Sequence, residues 1–178
     1  MKGKVWILIV ICFFILVGVL NGAAMAKKPL RQAGNSNMGI LYLFEKDPVT
    51  WEIIEHGAWG KMKYTLSGSE FDFVFNGHGL ESGLWYSLIY YPDPWPGYGL
   101  IILSEARADD NGKIKVQGSV NTEDLPAEND ENYPDGAKIW LVLSEDVGGR
   151  EQCMIGWNPT KYLFENNLIN FDDIDNNR

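Results

Sequence analysis

Residues 61–66 read KMKYTL and residues 71–76 read FDFVFN, with a large apolar side chain at every second position. Successive side chains of a β-strand point to opposite faces, so this period of two predicts strands with one buried and one solvated face. The stretch KIKVQ at residues 113–117 repeats the alternation. Three segments of the chain therefore predict half-buried strands.

Less alternating apolar runs predict strands that are buried more completely. They lie at residues 40–44, 84–91, 100–103 and 139–143. Residues 49–53, VTWEI, also alternate, and we predict a strand there. Asp47-Pro48 before this segment and Gly57 after it would also fit a capped helix.

Turn residues separate these runs at short intervals. Asp110-Asn111-Gly112 predicts a hairpin turn of type I′, because Asn-Gly readily adopts positive φ angles. Asn166-Asn167 predicts a second hairpin, and Pro134-Asp135-Gly136 precedes a further strand. About eight strands without a long amphipathic helix predict an all-β fold, an antiparallel β-sandwich of immunoglobulin-like type, with a small β-barrel as the alternative.

The N-terminus has the features of an export signal. Lys2 and Lys4 precede an apolar run over residues 5–20, and Ala24-Met25-Ala26 offers a small-residue cleavage site. We therefore predict a signal peptide at residues 1–26, with an uncleaved membrane anchor as the alternative. The expected localisation is secreted, or extracellular at the cell surface.

The remainder of the chain is long enough for one domain. Residues 27–37 are polar and predict a flexible tether, and residues 38–178 predict a single β domain. Cys12 lies within the signal, so removal of the signal leaves Cys153 as the only cysteine. We expect no intramolecular disulfide and a buried Cys153 thiol.

The charge balance excludes one class of partner. The chain carries 24 Asp and Glu residues against 15 Lys and Arg residues, and its formal net charge is −9. An acidic surface repels phosphate backbones and does not attract anionic lipid. We therefore expect no nucleic-acid partner, and membrane contact only through the N-terminal segment if that segment stays uncleaved.

Five strings from about residue 40 onward resemble those of a family of small exported proteins from archaea and bacteria. They are WEIIE at 51–55, GAWGKMKY at 57–64, FNGHGL at 75–80, YYPDPWPG at 90–97 and YPDGAKIW at 133–140. The resemblance implies an exported, β-rich domain. It supplies no activity and no catalytic residues.

The loop at residues 123–135 combines six carboxylates with two asparagines. Such hard oxygen donors are the ligands that Ca²⁺ accepts. The weak calcium-ligand candidates are Asp124, Glu128, Asp130, Glu131 and Asp135. A plain solvated acidic loop is the competing interpretation, and no other cofactor is expected.

Residues 90–99, YYPDPWPGYG, predict a stiff connecting loop, because three prolines remove backbone donors. A rigid loop that presents aromatic faces to water is a contact platform with little conformational entropy to lose. The ligand-contact candidates are therefore Tyr91, Trp95 and Tyr98. In the competing interpretation Trp95 folds back over one end of the sandwich. Trp140, between two aliphatic residues, is expected in the core.

Signs of catalysis are weak. His56 and His78 each stand beside a glycine and do not supply the three protein ligands of a catalytic zinc site. The chain has no nucleophile elbow, Walker loop or dinucleotide-binding glycine motif. We expect a non-catalytic module, not an enzyme, that makes protein or envelope contacts through its loops. The alternative is a carbohydrate-binding module, with or without glycoside hydrolase activity, whose partner is a polysaccharide.

Overall fold

The fold is taken from a computed structural model, which describes residues 37–175. The predicted signal peptide and all but the last residue of the predicted tether lie outside these residues. The strands, in chain order, are β1 (Met38–Phe44), β2 (Trp59–Thr65), β3 (Ser67–Gly68), β4 (Phe71–His78), β5 (Trp85–Tyr91), β6 (Ile101–Arg107), β7 (Ile114–Val120), β8 (Lys138–Leu143), β9 (Val147–Gly148), β10 (Cys153–Met154), β11 (Phe164–Glu165) and β12 (Asp172–Asp173). Two short 3₁₀ turns, Ser144–Asp146 and Pro159–Lys161, lie among the last strands.

Two antiparallel sheets form the body of the molecule. The larger sheet has the order β11-β1-β2-β4-β7, and the smaller sheet has the order β6-β5-β8. Buried apolar side chains from both sheets meet in one core. This arrangement confirms the predicted all-β antiparallel sandwich. Its strand order is not the ABED and CFG order of immunoglobulin domains, so the likeness to them lies in the layered architecture.

The larger sheet follows the alternation of the sequence. In β4, Phe71, Phe73 and Phe75 are buried, whereas Asp72 and Val74 are exposed. Burying a phenylalanine side chain contributes about 1.5–3 kcal/mol. The alternating burial of β1 and β2 matches that of β4. The larger sheet therefore has one apolar face and one solvated outer face.

Two strands of the smaller sheet, β5 and β8, are covered on both faces, whereas the edge strand β6, which was expected to be buried as completely, is only partly buried. In β5 only Trp85 is exposed, and β8 is buried from Ile139 onward. Ile89 and Trp140 are register partners and therefore lie on the same face of this sheet. Phe164 packs edge-on against Trp140 there, so side chains from the C-terminal segment cover this face.

One short segment joins the two sheets at a corner. Leu163 bridges to Leu141 of β8, and the next two residues form β11, which pairs with β1. At the other edge, no ladder joins β6 to β7 within residues 37–175. The molecule is therefore a sandwich with one joined corner, and the small closed barrel is excluded.

The predicted strand at residues 49–53 is wrong, and so is its helical alternative. Asp47 accepts hydrogen bonds from the backbone N–H groups of Val49 and Thr50, at 2.8 Å each, and closes a turn. Only Ile53 makes a bridge, to Lys46. The alternation of residues 49–53 therefore reflects an exposed loop with several apolar side chains.

Two turn predictions also need correction. At residues 109–113, Gly112 has positive φ while Asn111 does not, so the turn is not of type I′. Asp109 holds it by accepting bonds from the N–H groups of Asn111 and Lys113. Asn166-Asn167 does not close a hairpin, because the segments on either side pair with different strands. The strand predicted after Pro134-Asp135-Gly136 is confirmed as β8.

Candidate binding surface

Three tryptophans from three separate loops form one exposed group, which we call the tryptophan surface: Trp51, Trp95 and Trp157. They are 48%, 53% and 43% exposed. The ring centroids of Trp51 and Trp157 are 6.4 Å apart, and those of Trp95 and Trp157 are 5.5 Å apart in an edge-on arrangement. Large apolar side chains usually bury more of their area, so a contiguous exposed group marks a contact surface.

Buried rings support the tryptophan surface from below. Trp140, which is 6% exposed, stacks on Tyr91 with ring centroids 3.9 Å apart. Phe164 contacts Trp140 and Trp51 edge-on, with centroids 5.2 and 5.0 Å apart. Such ring pairs contribute about 0.5–1.5 kcal/mol each beyond their buried area. The exposed indoles therefore rest on a packed aromatic base.

The loop between β1 and β2 positions Trp51. The Trp51 N–H donates to the backbone oxygen of Asp47 at 2.8 Å, and Trp51 has a positive φ of 61°. The two backbone bonds to the Asp47 carboxylate also lower the pKa of that group. The turn thus fixes the direction in which the Trp51 ring leaves the backbone.

The loop between β5 and β6 positions Trp95. The Gly97 N–H donates to the Pro94 oxygen at 2.8 Å, and Gly97 has a positive φ of 77°. A Cβ at Gly97 would lie 2.5 Å from the Tyr91 ring, so only glycine fits there. The Met154 N–H donates to the Pro96 oxygen at 2.8 Å and ties this loop to β10.

Asp130 anchors the same loop from the acidic segment. Its buried carboxylate accepts hydrogen bonds from the Tyr90 hydroxyl at 2.7 Å and from the Asp93 N–H at 3.1 Å. The Asn132 side chain bridges Asp130 and Asp93, and Lys138 forms an ion pair with Asp93. Burial and the bond to Asp130 raise the pKa of Tyr90 well above its ordinary value.

Asp146 anchors the loop that carries Trp157 in the same way. Its buried carboxylate accepts bonds from the Tyr162 hydroxyl at 2.6 Å and from the Asn158 amide at 2.9 Å. Its backbone oxygen accepts from the Ile155 N–H at 2.8 Å. Burial and the bond to Asp146 raise the pKa of Tyr162 well above its ordinary value. A tyrosine–aspartate pair thus secures each of the two loops that carry Trp95 and Trp157.

The three aromatic residues that the sequence predicted as ligand contacts have different environments in the structure. Trp95 is exposed and lies in the tryptophan surface, so it does not fold back over the sandwich. Tyr98 is 69% exposed but makes no ring contact with another aromatic residue within 37–175. The expectation that Tyr91 presents a face to water is wrong, because its ring is only 2% exposed under Trp140.

The sequence did not point to Trp51 and Trp157 as partners of Trp95. Both are distant from it along the chain and reach it only through the fold. The available signal was weak: Trp51 follows an Asp-Pro turn, and Trp157 stands beside Asn158 and Pro159.

The calcium-ligand candidates differ in burial and in the hydrogen bonds that they accept. Asp124, Glu128, Glu131 and Asp135 are exposed, whereas Asp130 is buried and already accepts several protein hydrogen bonds. Asp124 accepts a bond from the Asp173 N–H at 2.6 Å. Among residues 37–175, no group of three or more His, Cys, Asp or Glu side chains is arranged to hold a metal ion. Calcium binding by this loop stays a prediction.

Four further side chains bear on the chemistry of the molecule, namely His56, His78, Glu165 and Cys153. His78 ends β4 and stacks on Trp59, with ring centroids 4.6 Å apart, while His56 is exposed beside Glu55. Glu165 lies at the joined corner, where burial raises its pKa to about 7 against the opposing effect of Lys46. The buried thiol of Cys153 is free, as expected from the sequence.

Comparison with known proteins gives no relative: no protein-family model, no curated protein and no solved structure matches the chain. In the part of the chain that the structure describes, no helix is long and apolar enough to cross a membrane.

Proposed function

We propose that this protein is a non-catalytic binding module of the cell exterior, which contacts its partner through the tryptophan surface. The observation that carries the proposal is the contact of Trp157 with both Trp51 and Trp95, which places three half-exposed indoles from three anchored loops side by side. Such rings offer a large contact area and lose little conformational entropy on binding. The predicted export signal and the resemblance to exported proteins support the proposed location.

The partner that we favour is a component of the cell envelope or a protein at the cell surface. Binding residues are often carried by loops on a rigid scaffold, and each loop of the tryptophan surface is fixed by hydrogen bonds. Tryptophans at the centre of an interface contribute most to the binding energy. Removing one ring should therefore weaken binding strongly.

A carbohydrate partner is the second candidate. The C–H groups of a sugar ring form an apolar patch that packs against the electron-rich face of an indole. Three adjacent indoles supply several such faces, and this observation favours a polysaccharide chain over a small sugar.

The test compares Trp95→Ala with a matched control, Trp85→Ala. Trp85 is also exposed but stands at the other end of β5, about 20 Å from Tyr91 at the rise of an extended strand. We expect the wild-type protein and Trp85→Ala to co-sediment with envelopes of the source organism, and Trp95→Ala to bind at least tenfold more weakly. The melting temperature of Trp95→Ala should stay within a few degrees of the wild type.

Two results would contradict the proposal. One is equal envelope binding by Trp95→Ala and wild type, and the other is a melting temperature so reduced that Trp95 proves to be a core residue. Retention on immobilised neutral polysaccharides, lost in Trp95→Ala, would identify the carbohydrate alternative.

A further inference from the structure

The outer face of the larger sheet carries a regular array of side chains that the tryptophan surface does not use. Register places Tyr42, Lys61, Asn76 and Lys115 side by side across β1, β2, β4 and β7. The next row of the same face contains Ile40, Lys63, Val74 and Gln117. Neighbouring strands are about 4.8 Å apart, so Lys61 and Lys115 stand roughly 10 Å from each other. We call this array the lysine face.

The charge of the lysine face is opposite to that of the molecule. The chain has 24 acidic residues and only 15 basic ones, yet Lys61, Lys63 and Lys115 project from two adjacent rows. None of the three forms an ion pair within residues 37–175. A cluster of unpaired cations on an acidic protein attracts an anionic partner.

The carboxylates of this face lie at its border. Asp72 stands one row beyond Lys63, and Glu70 precedes β4. Both carboxylates contact the Ser119 hydroxyl, and the distance from Ser119 Oγ to Asp72 is 2.5 Å. They therefore leave the three lysines without a neutralising partner.

The polar side chains between the lysines are also free. Asn76 lies between Lys61 and Lys115, and Gln117 lies in the row of Lys63. Neither side-chain amide takes part in a hydrogen bond within the described residues. An amide carries both donors and an acceptor, which suits the hydroxyl groups of a sugar.

Aromatic rings complete the lysine face on one side. Trp59, which is partly exposed, stacks on His78, and Lys61 Nζ lies 5.4 Å from the centre of the Tyr42 ring. This cation–π contact holds the Lys61 ammonium beside the aromatic group. The Trp59 and His78 stack offers a flat surface for the apolar face of a sugar ring.

A shallow groove of about 540 Å³ runs along the lysine face. Of the three lysines only Lys63 lines it, together with Thr65, Val74, Gln117 and Ser119, and Asp72 lies at its end. The groove is open at the surface, which suits an extended polymer better than an enclosed small molecule.

We propose that the lysine face binds an acidic polysaccharide, a polymer of sugar rings that carry carboxylates. Lys61, Lys63 and Lys115 pair with the carboxylates, Asn76 and Gln117 bond to hydroxyls, and Trp59 stacks on a ring. Nucleic acid fits less well, because its phosphates are denser along the polymer than the lysines are along this face. This inference is independent of the proposed role of the tryptophan surface.

The experiment measures binding of full-length protein to polygalacturonate by affinity electrophoresis, with dextran as the neutral polymer. We expect retardation by polygalacturonate and none by dextran. The double variant K61Q/K63Q should bind at least tenfold more weakly. Arg150→Gln removes a cation from an exposed turn outside the lysine face and should bind as the wild type does. Binding should weaken as salt is raised, because the contacts are between solvated charges.

Trp59→Ala separates sugar recognition from mere charge. We expect it to weaken polygalacturonate binding while circular dichroism of the folded protein stays unchanged. Equal binding by K61Q/K63Q and Arg150→Gln, or no retardation of the wild type, would overturn the proposal. Comparable binding to single-stranded DNA or to anionic phospholipid vesicles would also overturn it, because the lysine face would then select charge alone.

Discussion

At the scale of single residues, two buried aspartates anchor two loops of the tryptophan surface. Asp130 and Asp146 each accept a tyrosine hydroxyl and backbone or amide donors from a loop that carries an exposed tryptophan. Buried carboxylates of this kind are stable only when hydrogen bonds satisfy them. Their removal should therefore loosen the loops without touching the sheets.

Asp146→Ala tests this role. The change leaves the buried Tyr162 hydroxyl without its acceptor, and an unsatisfied buried group costs about 1–3 kcal/mol, whereas water can replace the acceptor of the exposed Asn158 amide. We expect urea titration to give a free energy of unfolding lower by about 1–3 kcal/mol. The exposed neighbour Glu145→Ala should change it by less than about 0.5 kcal/mol. Equal effects of the two substitutions would refute the anchoring role.

The titration of Glu165 makes the folded stability depend on pH, and a single substitution can isolate this effect. Burial raises its pKa from the model-compound value of 4.5 to about 7, against the opposing charge of Lys46. As pH rises through this window, the unfolded chain releases its proton before the folded protein does, so folded stability falls. The contribution of the protonated Glu165 side chain to folded stability is fully present below pH 4.5 and is lost by about pH 7.

We therefore expect Glu165→Gln to gain stability relative to wild type as pH rises from about 4.5 to about 7. The gain should be at most about 3 kcal/mol and level off at higher pH. Chemical denaturation at several pH values measures it. Glu131→Gln, at an exposed carboxylate, is the control and should track the wild type. A pH-independent difference between Glu165→Gln and wild type would contradict the assigned titration.

At the scale of strands, two glycines of β2 and β4 leave space for the ring of Phe75. Gly60 and Gly77 are register partners, and a Cβ at Gly60 would lie 2.4 Å from the Phe75 ring. Gly60→Val should destabilise the protein by about 1–3 kcal/mol or more, because overpacking shifts the ring. Lys63→Val, at an outward position of the same strand, should be tolerated. Thermal unfolding of both variants checks this, and equal losses would contradict the packing argument.

The alternation of residues predicted β2, β4 and β7 of the larger sheet, because one face of each is buried and the other is wet. The apolar run of β1 was expected to be buried more completely, but its burial alternates as well. Apolar runs likewise predicted β5 and β8, whose two faces are covered. The segment at 49–53 alternates without forming a strand, since the Asp47 carboxylate closes a turn with nearby N–H groups. Local hydrogen bonding of this kind competes with strand pairing and leaves no trace in the apolar pattern.

At the scale of the whole molecule, long-range pairing could not be predicted from the sequence. Asn166-Asn167 reads as a hairpin, yet Glu165 pairs with Leu43 and Ile169 bridges to Ala137. The tryptophan surface also depends on long-range contacts, because Trp51, Trp95 and Trp157 meet only after three distant loops converge. The loop that carries Trp95 was predictable from its prolines, whereas the exposure of its indole and the identity of its neighbours depended on the tertiary fold.

The joined corner has a consequence for how the polypeptide reaches its native state. Leu163, Phe164, Ile169 and Phe171 are all buried, and they follow the long strands of both sheets along the chain. A nascent polypeptide in which these residues are still to be added lacks the seam between its layers, so the sandwich closes only after residues 163–171 have been synthesised. A premature stop codon just before Leu163 would therefore abolish the native state.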